Sequence, residues 1–217
     1  KGGGELVSTP VVREGWPYII ALAAVTAVVA WIHPLWSLPP GGLLLFVAYF
    51  FRNPQRSIPR ETGIVVSPAD GLVMSVTEVY EDQFLKGPAR KVNIFLSVFD
   101  VHINRSPVGG MIKYQKYTKG KFLPAWREEV ATENERHSLG IENERMKVLV
   151  TQIAGLIARR IVSWVTVGDE LEQGKRYGLI KFGSSTEIAV PLNVEILVKK
   201  GDRVKGGETI IGRMKND

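Results

Sequence analysis

The sequence predicts a mainly β domain carried behind an N-terminal membrane helical hairpin, and three observations predict it. Residues 16–51 contain no Asp, Glu, Lys or Arg. Beyond Arg60 the chain breaks into short apolar-alternating runs separated by Gly, Pro, Asp and Asn. Near its end a Gly-Asp unit occurs twice. Averages conceal this organisation, because 217 residues that are 45% hydrophobic with a net charge of +6 would suit an ordinary soluble protein with one catalytic domain.

The expected organisation begins with a tail, residues 1–15, followed by the hairpin at 16–51. Thr26, His33 and Ser37 are the hairpin's only polar side chains that are not aromatic. Pro34, Pro39, Pro40, Gly41 and Gly42 divide it into apolar pieces at 17–32 and 41–51, with His33 at the apex. Each piece falls short of the roughly 20 residues of a spanning helix, so a hairpin or re-entrant pair fits better than one span. Arg13 precedes the run and Arg52, Arg56 and Arg60 follow it. By the positive-inside bias both ends face the cytoplasm, with the catalytic part on the cytoplasmic face of the cell membrane. Trp16, Tyr18, Trp31 and Trp36 stand where interfacial aromatics belong. A cleaved signal peptide fits poorly, since the apolar run is long and lacks a small-residue cleavage site. In FFRNPQRSIPR (50–60), Pro54 and Pro59 prevent a regular helix. An extended basic collar at headgroup level is expected there, attracting anionic phospholipid or fixing topology.

The soluble part reads as strands: GLVMSVTEVY, KVNIFLSVF, MIKYQKY, MKVLVTQIAGLI, RIVSWVTV, EIAVPLNVEILV and TIIGRM. Runs of this length and spacing predict a compact barrel or sandwich. Residues 118–145, rich in Glu, Arg and Asn, are expected to form a long loop or partly helical excursion. Gly168-Asp169-x-Leu171-x-x-Gly174 is echoed by Gly201-Asp202-x-Val204-x-x-Gly207, an offset of 201 − 168 = 33, with a one-residue slip before the Gly178 and Gly212 that follow. Two copies of one β-turn-β unit are implied. The pattern resembles the turns of lipoyl- and biotinyl-type barrel-sandwich hybrids, so a barrel-sandwich-hybrid-like β domain is the expected fold. Neither copy carries a modifiable lysine in the hairpin setting of a carrier domain.

With no Cys there is no disulfide framework, thiolate metal site or cysteine nucleophile, and three scattered His do not make a metal centre. No metal is therefore expected, and covalent chemistry falls to Ser, Thr, Lys or a carboxylate. In KFGSSTEIAVP, Gly183 lies between two strand-like runs, where it can adopt angles closed to other residues. A strained Gly183–Ser184 bond would let the Ser184 hydroxyl attack the Gly183 carbonyl, giving an ester in the chain. Elimination of that ester and hydrolysis would leave a pyruvoyl group at a new N-terminus. Asp70 in SPADG reads as a turn residue or a proton carrier. Asp100 and His102 in SVFDVHINRSP are two apart at a strand end, so they are expected to face one side and exchange a proton.

Taken together, the hairpin, FFRNPQR, SPADG, FDVHINRSP, ENER and FGS resemble the short-type phosphatidylserine decarboxylases, pyruvoyl enzymes of phospholipid synthesis. The resemblance implies a proenzyme cut at Gly183–Ser184 into a large β chain, whose decarboxylase part is 52–183, and a small α chain, 184–217. Ser184 becomes the pyruvoyl group, which forms a Schiff base with the substrate amine, withdraws electrons as CO2 leaves, and releases phosphatidylethanolamine. The implied partners are a phospholipid substrate, the membrane and the two chains of one precursor; no nucleic acid is implied, and homo-oligomerisation stays open. Longer members of the family use a processing triad of Asp, His and Ser with H-x-x-H-x-P. Here Asp70, His102 and Ser184 have counterparts, but Arg105 stands at the second His, which leaves open the base that activates Ser184. Asp100, Arg105 and His137 are candidate contacts to the substrate, and His137 reads equally as an exposed loop residue. Two alternatives remain: a decarboxylase of archaetidylserine, and a membrane-anchored barrel-sandwich adaptor without chemistry.

Overall fold

The computed structural model describes residues 9–120, 133–155, 160–181 and 184–215, apart from the Ser184 side chain. The chain divides into two compact units, Lys1–Gln55 and Arg56–Asp217.

In the first unit, helix α1 (Trp16–Ile32) and helix α2 (Leu38–Phe50) are joined by His33 and a 3-10 turn, Pro34–Ser37. Pro39 and Pro40 do not separate the helices, as the sequence suggested, but open the second one. A proline in the first helical turn lacks only an N–H that has no intrahelical acceptor there, so it costs the helix little. Arg13–Ile32 is 20 residues long and apolar enough to cross a membrane by length and composition, whereas α2 is shorter. Trp31 is 90% exposed and Leu45 72%. Helices apolar on every side require an apolar surrounding rather than water. The Thr26 hydroxyl donates to the Leu22 carbonyl oxygen at 2.7 Å, so this polar group is paired within its own helix. Arg52 donates to the Tyr49 carbonyl oxygen at 2.9 Å and lies over the Tyr49 ring.

The second unit is built of strands: β1 (Ile64–Val66), β2 (Gly71–Glu81), β3 (Gly87–Leu96), β4 (Ile103–Arg105), β5 (Gly110–Thr118), β6 (Arg136–Glu142), β7 (Lys147–Ala154), β8 (Ile161–Ser163), β9 (Glu170–Leu171), β10 (Arg176–Ile180), β11 (Ser184–Pro191), β12 (Val194–Ile196), β13 (Arg203–Val204) and β14 (Ile210–Met214). A curled eight-stranded sheet runs β13-β2-β3-β11-β7-β6-β5-β9, and two small sheets, β1-β14-β12 and β4-β10-β8, accompany it. Strand alternation sends Val92, Ile94, Leu139, Ile141, Val150 and Ile188 into one core. The mainly β, barrel-sandwich-like expectation is what the chain adopts.

The repeated Gly-Asp unit belongs to a larger duplication. Gly168 and Gly201 have φ of 95° and 96°, open to glycine and strained for other residues. The Asp169 and Asp202 carboxylates accept from the Thr166 and Lys199 N–H groups, each at 2.9 Å. Gly174 N–H donates to the Ser106 carbonyl oxygen and Gly207 N–H to that of Ser67, each at 2.8 Å. A bulge between Val73 and Ser75 on β2 recurs between Ile112 and Tyr114 on β5. Strands β1 to β3 thus correspond to β4 to β6, and β11 to β14 to β7 to β10. One half, β4 to β10, is continuous. The other is split, and the chain crosses between halves after β3, at 97–102, and again between β10 and β11. The first crossing carries Asp100 and His102, and the second leads into Ser184.

The excursion expected at 118–145 is shorter than it looked, because Arg136–Glu142 is strand β6, paired with β5 and β7. Its leading residues are polar, with Arg136 half-buried and His137 and Ser138 buried among hydrogen-bond partners, which hid the strand alternation. Residues 121–132 lie outside the described residues.

Candidate active site

Asp70 sits at the turn from β1 into β2. The chain can turn there only because residue 71 is glycine, since a Cβ would lie 2.2 Å from the Phe95 carbonyl oxygen. The Asp70 carboxylate receives both of its bonds to Arg56 from Nη2, at 2.7 and 3.0 Å, and a third from the Gly206 N–H at 2.8 Å. Arg56 and Asp70 side chains are only 8% and 14% exposed. Arg56 is thus not part of a solvated collar. The extended 53–60 segment instead delivers its guanidinium into the domain, where its Nη1 also approaches Glu208 at 3.4 Å. Burial pushes the Asp70 carboxyl above its ordinary range, against the pull of Arg56 and Gly206 and with a further push from Asp100. Glu208 is held low, chiefly by the Ser57 N–H and also by Arg56. Arg105 is buried and donates to the Gly174 carbonyl oxygen at 3.0 Å. Desolvation, with Arg56 and Arg176 pressing the same way, lowers its pKa to about 10. It stays charged at neutral pH, so a guanidinium and not an imidazole occupies this place.

His102 is fully buried at the end of the first crossing. Its Nδ1 lies 3.0 Å from the Asp100 carbonyl oxygen, which only accepts, so Nδ1 carries the proton and Nε2 is the basic nitrogen. The expected pairing of His102 with the Asp100 carboxylate is not formed. Residues 97–100 make a turn rather than a strand end, closed by the Asp100 N–H on the Ser97 carbonyl oxygen. The Asp100 carboxylate binds the Ser97 N–H at 2.9 Å and Arg203 at 2.6 Å.

Residue 184 is the first of β11, hydrogen-bonded into the sheet between Leu96 of β3 and Ala154 of β7. Leu96 leads directly into the crossing that holds Asp100 and His102. Gly183 lies outside the described residues. The Ser185 hydroxyl is buried with no hydrogen-bond partner among the described residues.

Sequence reasoning missed Asn104. Its Nδ2 donates to Thr186 Oγ1 at 2.9 Å and to the Pro68 carbonyl oxygen at 3.4 Å, while its Oδ1 accepts from Gln152 Nε2 at 2.8 Å. One amide thereby joins the segments of Asp70, His102 and Ser184. No local signal marks it, because β4 is only Ile103-Asn104-Arg105 between His102 and Ser106, polar on both sides of the one apolar residue. His137 is not an exposed loop residue: it is 4% exposed on β6, with Nδ1 3.2 Å from Gln152 Oε1 and Nε2 2.9 Å from Gln115 Nε2. Burial lowers its pKa, and the Gln152 bond opposes this.

Comparison with known proteins gives the family. The model of the family described as phosphatidylserine decarboxylase matches residues 43–212. A phosphatidylserine decarboxylase proenzyme of Symbiobacterium thermophilum is 54% identical over 207 residues, covering 94% of this chain and 95% of that one. The proenzymes of Carboxydothermus hydrogenoformans and Geotalea uraniireducens are 53% and 44% identical, covering 94% of this chain in both cases and 96% and 97% of their own. A match of this extent includes both crossings, the Arg56–Asp70 pair and strand β11, and the chain belongs to the phosphatidylserine decarboxylase family.

Proposed function

We propose that the chain is made as a precursor, is cut by its own Ser184 at the Gly183–Ser184 bond, and then converts phosphatidylserine to phosphatidylethanolamine and CO2. The observation that carries this reading is the placement of residue 184 as the head of a central strand, held on both sides, beside the crossing that presents His102. A cut before β11 leaves a new terminus anchored by its hydrogen bonds to β3 and β7. Residues 184–217 supply β11, β13 and β14, which pair with strands of the large chain, so the two chains stay together without a covalent link.

Processing requires a proton to leave the Ser184 hydroxyl as it attacks the Gly183 carbonyl, and another to leave its Cα as the ester is eliminated. Asp70 is assigned to this proton handling, with Arg56 and the Gly206 N–H opposing the rise that burial imposes on its carboxyl. Elimination followed by hydrolysis releases ammonia and leaves residue 184 as a pyruvoyl group. The anchored strand start and the unpartnered Ser185 hydroxyl beside it fit a small carbonyl group at this position. A pyruvoyl carbonyl at residue 184 would supply an electrophile for the substrate amine and a sink for the electron pair left as CO2 departs. His102 Nε2, the basic nitrogen, takes up a proton that the substrate ammonium gives up as the imine forms and then delivers it to the carbon that lost CO2, its orientation fixed by the Nδ1 bond to Asp100. The apolar helix α1 supports attachment to the bilayer that holds the substrate. Arg13 before α1 and Arg52 after α2, the two ends of the hairpin, support a cytoplasmic face for the catalytic domain.

The test is a denaturing gel of purified protein combined with a phosphatidylserine decarboxylation assay. Wild type is expected as two fragments with activity, and Ser184→Ala as one inactive chain. A single wild-type chain without activity would instead support the adaptor reading.

A further inference from the structure

A chain of hydrogen bonds, buried except at its first member Gln115, runs through one half of the duplicated domain and ends on the strand that begins at the cut. Gln115 Nε2 faces the Val165 carbonyl oxygen at 3.5 Å and His137 Nε2 at 2.9 Å. At the far end Asn104 Nδ2 faces the Pro68 carbonyl oxygen and Thr186 Oγ1. Carbonyl oxygens only accept, so both end amides are fixed as donors there, and every bond between them has one direction. Gln115 donates to His137 Nε2, His137 Nδ1–H to Gln152, Gln152 to Asn104, and Asn104 to Thr186 and Pro68. The histidine is therefore held neutral.

The other half of the domain shows that the fold does not require this chain. Strand register identifies the equivalent positions. Val65 pairs with Gly212 as Asn104 pairs with Gly178. Val76 pairs with Val92 as Gln115 pairs with Leu139. Arg90 pairs with Glu78 and Val190 as His137 pairs with Tyr117 and Gln152. Thr186 pairs with Ile94 as Val148 pairs with Ile141. Asn104, Gln115, Gln152 and Thr186 thus have valine counterparts: Val65, Val76, Val190 and Val148. Val65, Val148 and Val190 lie in the main core and Val76 packs against it. A backbone that accepts Val65, Val76 and Val190 in the split half in place of the three amides, and Val148 in the continuous half in place of Thr186, gains nothing for its fold from the polar residues, since burying polar groups carries a desolvation cost that bonds at best offset. The three amides lie in the half whose strands meet the Asp70 turn and the start of β11.

We infer that Asn104, braced by Gln152, His137 and Gln115, is a positioning residue for self-processing: it ties the start of β11 through the Thr186 hydroxyl to the Asp70 turn through the Pro68 carbonyl. The inference rests on the assignment of Ser184 as the processing residue. It extends that assignment to residues that touch neither the scissile bond nor the substrate.

The test follows cleavage of freshly synthesised full-length protein on denaturing gels, with thermal melting of the same variants in an uncleaved Ser184→Ala background. Thr186→Val copies Val148 and removes only the hydroxyl at the end of the chain. It is expected to slow appearance of the 184–217 fragment by tenfold or more while the melting temperature holds, and Thr186→Ser is expected to restore the rate. Asn104→Val is expected to slow cleavage as well, and Asn104→Val/Thr186→Val to be no slower than the slower single variant, because both remove the same bond. Wild-type cleavage in folded Thr186→Val, with Ser184→Ala uncleaved, overturns this inference alone. So does slowing that Thr186→Ser fails to restore. Cleavage of Ser184→Ala overturns the assignment of Ser184 and this inference with it.

Discussion

Replacing Arg56 by Met tests how the domain keeps a buried carboxylate usable. The pair is well formed and nearly dry, with bonds of 2.7 and 3.0 Å and exposures of 8% and 14%. Without Arg56 the Asp70 carboxylate keeps only the Gly206 N–H. Removing one member of a buried pair costs about 3–5 kcal/mol, part of it relieved when the remaining carboxylate takes up a proton. Asp70 already titrates above its ordinary value of 3.8 because burial outweighs Arg56 and Gly206, and loss of Arg56 raises it further. A carboxyl raised in the folded state contributes stability that is complete in acid and is lost as pH rises through the folded pKa. The stability deficit of Arg56→Met should therefore shrink as pH falls from neutral. Processing, which uses the ionised form, should shift the other way and need a more alkaline medium, by about tenfold in rate per unit of pKa below the new value. Arg56→Lys keeps the charge but loses the fork of donors, and its shift should be smaller. Cleavage of freshly made precursor, timed on gels between about pH 6 and 9, reads the profile directly. A folded Arg56→Met whose cleavage profile stays where the wild type's lies would refute the role given to Asp70.

Three further outcomes follow from the same structure. His102→Ala should still cleave but lose about 10²-fold or more in decarboxylation, measured as CO2 released by the purified cleaved protein; a block in cleavage would move His102 into processing. Because burial lowers the His137 pKa, the unfolded chain binds the extra proton first, so stability should fall as pH drops below about 6.5; denaturant melts of the Ser184→Ala precursor at neutral and acid pH check this, and an unchanged midpoint counts against a neutral buried histidine. Gly71→Ala should destabilise by more than about 1 kcal/mol, since its Cβ would press on the Phe95 carbonyl oxygen at a φ of 153°, and a melting temperature equal to wild type would contradict that geometry.

What the sequence disclosed and what it hid have physical causes. The helical hairpin was legible because no charge interrupts residues 16–51, and long strands such as β2 and β11 were legible from alternation. The two- and three-residue strands β1, β4, β9 and β13 are too short to carry a period. Strand β6 was obscured because Arg136, His137 and Ser138 are polar residues at half-hidden or buried positions, satisfied by partners far away in sequence. The Gly-Asp echo survived because only glycine fits φ near 95°. The rest of the duplication had diverged into valines on one side and amides on the other. Asp70 stood out in SPADG, but its partner Arg56 read as lipid-facing, since an ion pair across a fold leaves no mark in local spacing. The Asp100–His102 inference failed for a local reason: it assumed strand geometry where the chain turns.

Conversion of Ser184 to a pyruvoyl group is read from the intact mass of the small fragment of purified wild-type protein. The expected fragment begins at position 184, is one ammonia lighter than the peptide of residues 184–217, and resists Edman degradation because its terminus is a ketone rather than an amine. A fragment with the full peptide mass and a free serine amine, or a chain that is never cut, would contradict it.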